Sequence, residues 1–146
     1  ERAELPAEMA LDDPDYERLL NILMMTHASV NDAKLRPIVE AQIARDESMA
    51  EHAARLLNSP EGKLDGKERT LVVVCGSGHV NYGLGTAQRL RNRLPEARQR
   101  IVVMAVSGEM EENREPGVRE VDLTLDDLQK LGRPVADYLL VVPEVR

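Results

Sequence analysis

TLVVVCGSGHVNYGLGTAQRLRNRLPEARQRIVVMAV, residues 70–106, is the stretch that decides the fold class. It opens on an apolar, β-branched run, Thr70 to Cys75, and closes on another, Arg100 to Val106; each has the length and composition of a strand. Between them Leu84, Ala87, Leu90, Arg91 and Leu94 recur at helical spacing, with Pro95 just past the end. Strand, turn, helix and strand in that order predict a βαβ unit whose two strands are parallel neighbours. Neither run alternates with polar residues, so both strands are expected to be buried on both faces. Further on, Tyr138 to Val142 reads as another strand, and Asp126 to Leu131 as a helical turn capped by Thr124 and closed at Gly132.

Towards the N-terminus, residues 1–15 form an acid-rich lead-in with Pro6 and Pro14, and Asp13-Pro14 supplies an N-cap and first helical position. A short helix follows from Tyr16 to near His27. The pattern restarts at Asn31-Asp32. Leu35, Val39, Gln42, Asp46, Met49, Ala53 and Leu56 then step by four and three along one face of a long helix, which stops before Ser59-Pro60-Glu61-Gly62. The expected architecture is α/β: a partly parallel sheet with flanking helices, in which an N-terminal helical segment (16–58) precedes the βαβ unit and a further strand (67–146). At 146 residues, one domain is the default.

Composition removes several classes of function. With 26 acidic and 19 basic residues the net charge is −7, so no overall field draws the chain to nucleic acid. Three tyrosines, with no Phe or Trp, leave no base-stacking platform and a core of Leu, Val, Ile, Met and Ala. Cys75 stands alone, which excludes a disulfide framework and fits a small buried hydrophobe. No apolar run approaches the roughly 18 residues of a membrane span, and the acidic start is no signal peptide.

Ligands of open α/β sheets gather beyond the C-terminal ends of the strands, the place held here by GSGHVNYGLG, residues 76–85. Gly76, Gly78, Gly83 and Gly85 permit close backbone approach to a ligand, and the helix that follows offers free N–H groups. Asn81 stands where a dinucleotide fingerprint needs its last glycine, and no Walker Lys-Ser/Thr pair is present. His79 is either a turn residue capping the next helix or the functional group of the loop; Tyr82 is either a packing residue or a phenolate ligand. In the long helix Asp46 falls on the apolar stripe, where an unpaired carboxylate would cost several kcal/mol. It therefore needs partners, and the 76–82 loop is where they are expected, as a structural pairing or as part of the site. Glu47 is expected on the solvated side, His52 at the surface, and His27 beside the carbonyls of a helix end.

Two blocks, AQIARDESMAEH (41–52) and VVVCGSGHVNYGLGTAQRL (72–90), resemble the ChaN-type haem-binding uptake proteins of the Tiki and erythromycin-esterase-like superfamily. His27 and the closing ADYLLVVP (136–143) are similar to the same pattern. The resemblance implies a haem-binding protein of bacterial iron acquisition, periplasm-facing at the cell envelope, a lipoprotein, and a binding protein rather than an enzyme. It implies a cofactor-binding set of His79, Tyr82, Gly76, Gly78 and Asp46, with haem held noncovalently since no Cys-x-x-Cys-His is present, and a homodimer that buries the second haem face. It also implies that the chain is the C-terminal part of a larger domain, in which a Gly-Glu-x-His turn faces residues 76–79. Other branches of the superfamily are hydrolases, and in that alternative His79 ligates a divalent metal or acts as a general base. A third possibility is a scaffold in which the Gly-Ser-Gly-His turn serves backbone geometry alone.

Overall fold

The computed structural model describes residues 6, 9–25, 32–60, 63–64, 67–68, 70–106 and 132–142. Helix α1 spans Pro14–Met25 and starts as its sequence dictates: the Asp13 carboxylate accepts the Tyr16 N–H at 3.1 Å, with Pro14 in the first helical position. Helix α2 runs from Asp32 to Asn58, beginning where the sequence pattern restarts, so Pro37 lies exposed in its second turn. Strands β1 (Lys63–Leu64) and β2 (Lys67–Glu68) pair antiparallel, Lys63 opposite Glu68 and Leu64 opposite Lys67. Two 3₁₀ turns, Ser77–His79 and Asn81–Gly83, lead into α3 (Gly85–Arg93), which ends at Leu94 ahead of Pro95. Strands β3 (Val102–Val106) and β4 (Tyr138–Val142) pair in parallel, Val102 opposite Tyr138 through to Val106 opposite Val142.

The core lies among the helices. Tyr16, Leu19 and Leu20 of α1, Val39 and Ile43 of α2, and Leu84 at the entry to α3 form one buried cluster, with Leu11 and Tyr82 packed against it. The buried face of α2 comprises Val39, Ile43, Asp46, Glu47, Ala50, Ala53 and Ala54, whereas Leu56, placed on the stripe by its spacing, is 46% exposed. The face is wider and rotated relative to the expected one because α2 is covered by α3 as well as α1. Small alanines continue that face beyond the Asp46–Thr86 and Glu47–Arg93 contacts with α3.

The described residues combine helices with a two-stranded parallel sheet, a mixed α/β arrangement, but the sheet differs from the expected one. Thr70–Cys75 has no ladder partner among the described residues, and the parallel neighbour of β3 is β4. Nor are the apolar runs buried: Val72 is 77% and Val74 90% exposed, and Val102, Met104, Tyr138, Leu139 and Leu140 are exposed too. Composition gives a segment the capacity to pair, but a strand is made by a neighbour's hydrogen bonds, and two-sided burial needs a covering layer on each face. The expected helix at Asp126–Leu131, with Thr124, and His27 lie outside the described residues; Gly132 has the left-handed φ of +60° that suits a helix C-cap.

Candidate functional site

The site is assembled around a buried carboxylate. Asp46, fully buried on α2, accepts three hydrogen bonds: from the Tyr16 hydroxyl to Oδ2 at 2.5 Å, and from the Thr86 hydroxyl and His79 Nδ1 to Oδ1 at 2.6 and 2.8 Å. Three chain segments are thereby tied to one side chain, which satisfies a charge that would otherwise be stranded. The Tyr16 oxygen also lies 3.2 Å from the Gly78 carbonyl, linking α1 to the turn that carries His79. Burial first, and the Asp46 charge second, push the Tyr16 phenol far above its ordinary range, so it stays a neutral donor. The same two causes, in the same order, raise the half-buried Cys75 thiol.

Backbone geometry presents the imidazole. Gly85 has φ +57°, and a Cβ there would lie 2.5 Å from the His79 carbonyl oxygen and 3.0 Å from the Tyr16 hydroxyl, so only glycine lets α3 start this close to the turn. Tyr82 is itself left-handed at φ 60°, with its N–H bonded to the Val135 carbonyl at 2.8 Å. One edge of His79 faces Asp46; the ring also lines a cleft of about 490 Å³ together with Ala41, Ala44, Arg45, Ser48 and Met49 of α2. The Gln42 amide nitrogen is 3.0 Å from Nδ1 and 3.2 Å from Nε2, nearly equidistant from both ring nitrogens. An amide N–H can donate only to the ring nitrogen that carries no hydrogen, so with Nδ1 donating to Asp46 its acceptor on the ring is Nε2.

A second network, absent from the sequence reading, lies one residue further along α2. Glu47 is 2% exposed, not solvated as expected: it accepts the Ala10 N–H at 3.0 Å and pairs with Arg89 at 3.1 Å and Arg93 at 2.6 Å. Arg89, buried on α3, also reaches Asp13 at 3.4 Å and the Gly85 carbonyl at 3.2 Å, and its guanidinium lies 5.2 Å from the centre of the Tyr16 ring. Arg89 and Arg93 are four residues apart on one helix face, the spacing that lets two cations share one carboxylate. That spacing was the available signal.

Over residues 1–90 the chain matches the family described as haem-binding uptake, Tiki superfamily, ChaN. It belongs to that family. No curated protein and no solved structure gives a significant match to the chain. In this ChaN-family chain the match takes in α1, α2, the 76–85 loop and the first part of α3, which are the elements that converge on Asp46.

Of the residues expected at a site, the structure brings together Asp46, His79 and the Gly78 carbonyl. Gly76 precedes them in ordinary extended backbone (φ −62°, ψ 146°). Tyr82 stands apart from the cleft, its ring against the core cluster. Among the described residues no group of three or more His, Cys, Asp or Glu side chains is arranged to hold a metal ion. His52 is exposed and bonds back to the Ser48 carbonyl at 2.7 Å. Sequence reasoning missed Tyr16 and Thr86, the two neutral donors to Asp46, since nothing in their local pattern marks them as partners of a residue 30 or 40 positions away.

Proposed function

We propose that the cleft between α2 and the 76–82 loop binds haem noncovalently, in haem acquisition at the bacterial envelope. Membership of a haem-binding uptake family gives the class of ligand. The observation that carries the assignment to this cleft is its make-up: a single imidazole, held at one nitrogen by Asp46, borders a surface of Ala41, Ala44, Ser48 and Met49, with the Arg45 cation alongside. Small side chains at 41, 44 and 48 lie on one side of α2 and leave a low surface that a flat apolar macrocycle can lie against. Met49 adds a polarisable wall, and Arg45 suits a propionate. The volume lies within the roughly 300–1,000 Å³ range of small-molecule clefts.

His79 would face the iron; haem supplies the affinity of that metal for an imidazole nitrogen. Tyr82, turned to the core, would hold the shape of the loop. Hemin titration followed at the Soret band tests the proposal. A saturable shift is expected, weakened in His79→Ala and in Met49→Glu, which puts a charge on the apolar wall. If the wild-type chain leaves hemin at its free position throughout, haem is not the ligand of this cleft. The envelope location, periplasm-facing, and a homodimer covering the second haem face belong to the same proposal; cell fractionation and light scattering with and without hemin test them.

A further inference from the structure

We infer that Asp46 is a positioning residue for His79, fixing its imidazole as the Nδ1–H tautomer so that Nε2, 3.2 Å from the Gln42 amide nitrogen, carries the lone pair that a ligand would take over from Gln42. The inference rests on His79 as the ligand-facing side chain, but its geometry is independent of what the ligand is. At 2.8 Å from a carboxylate oxygen that can only accept, Nδ1 must carry the hydrogen. The carboxylate cannot turn away from it. Its Oδ2 is held by the Tyr16 hydroxyl, whose raised phenol remains protonated, and its Oδ1 is shared with Thr86. Rotating Asp46 to release His79 would break the Thr86 bond in a fully buried setting. Asp46, Tyr16 and Thr86 thus form a rigid acceptor, and one tautomer follows from it. A ligating histidine whose other nitrogen donates to a carboxylate is both oriented and made more basic.

Asp46→Asn isolates the effect because the fold can accommodate it. The amide can keep its oxygen on Tyr16 and turn its NH₂ towards Thr86 and His79, where it donates to an unprotonated Nδ1, or keep its oxygen on Thr86 and His79 while Tyr16 redirects its proton to the Gly78 carbonyl 3.2 Å away. What is lost is the acceptor-only group that locks the tautomer. Glu47→Gln serves as a matched control, since Glu47 is a neighbouring buried carboxylate on the same helix with no bond to His79. Long-range ¹H–¹⁵N correlations of the imidazole, recorded at a pH where the ring is neutral, report the tautomer without any ligand. The wild type is expected to be Nδ1–H. Asp46→Asn is expected to populate Nε2–H and to lose roughly ten- to a hundredfold in hemin affinity, whereas Glu47→Gln lowers the melting temperature without moving the tautomer. An Nε2–H wild type, or an unchanged tautomer in Asp46→Asn even with weaker hemin binding, overturns the inference. Failure of the wild type to take up hemin removes the haem assignment, and the tautomer still decides the role of Asp46.

Discussion

Gly85 and Tyr16 set the tolerances of the site from opposite sides of the same turn. Replacing Gly85 by Ala forces a Cβ into left-handed backbone, at about 1–2 kcal/mol, and onto the His79 carbonyl, at about 1–3 kcal/mol more. Urea denaturation should show a loss in that combined range; a change within error would mean that α3 can shift away from the turn. Tyr16 makes a prediction in pH. Its phenol is raised in the folded state, by burial first and the Asp46 charge second, so the folded protein holds that proton more tightly than the unfolded chain. The associated stability is fully present below the unfolded value of about 10 and is lost as pH rises through the folded one. Urea midpoints of the wild type should therefore fall steeply above pH of about 10. Tyr16→Phe should be less stable near neutrality, because the Asp46 carboxylate loses a donor, yet show a shallower alkaline slope. Parallel alkaline slopes would mean that the phenol does not titrate with folding.

At the scale of the element, α2 shows what a sequence can and cannot convey. Its existence, its length to within a few residues, and the fact that Asp46 lies on its buried side all follow from one stripe of spaced residues. Glu47 did not, because it lies about a quarter-turn further round, on a flank that is buried only once α3 arrives with Arg89 and Arg93. The 76–85 loop stood out in the sequence as a candidate site because it sets four glycines and a histidine between a β-branched run and a helix. The donors Tyr16 and Thr86 were not, since their bonds to Asp46 span 30 and 40 residues and leave no local trace. A measurable consequence attaches to Glu47. Glu47→Ala leaves the buried Arg89 without its closest anion, while Arg93, half-exposed, can turn to water. Breaking a buried pair from one side costs about 3–5 kcal/mol, and Glu47→Gln should cost less because it can still accept the Ala10 N–H. An alanine variant as stable as the wild type would place Arg89 in water and dissolve the network.

For the whole molecule, the helices carry the buried core among the described residues, while the strand-forming runs do not share it. Val72, Val74, Val102, Met104, Tyr138, Leu139 and Leu140 are all exposed, and parallel strands are ordinarily covered on both faces. Strand composition was plain in the sequence, but pairing order was not: chain order pointed to 70–75 as the neighbour of β3, whereas the register from Val102 to Tyr138 pairs β3 with β4. An extended, β-branched segment with no ladder partner among the described residues is a template for another chain, and apolar surface on that scale favours association. Sedimentation of the 146-residue chain should therefore show concentration-dependent self-association, with a dye for apolar surface binding to the smallest species. Val72 and Val74 are two apart, so in extended backbone they share a face, and both are almost wholly in solvent. Val72→Thr combined with Val74→Lys keeps β-compatible backbone while placing a charge on that face, and should suppress association without lowering the urea midpoint. If the wild type is monomeric at every concentration and takes up no dye, the segment is covered in solution. If the double variant instead unfolds, those valines belong to the core, and the helices do not stand alone.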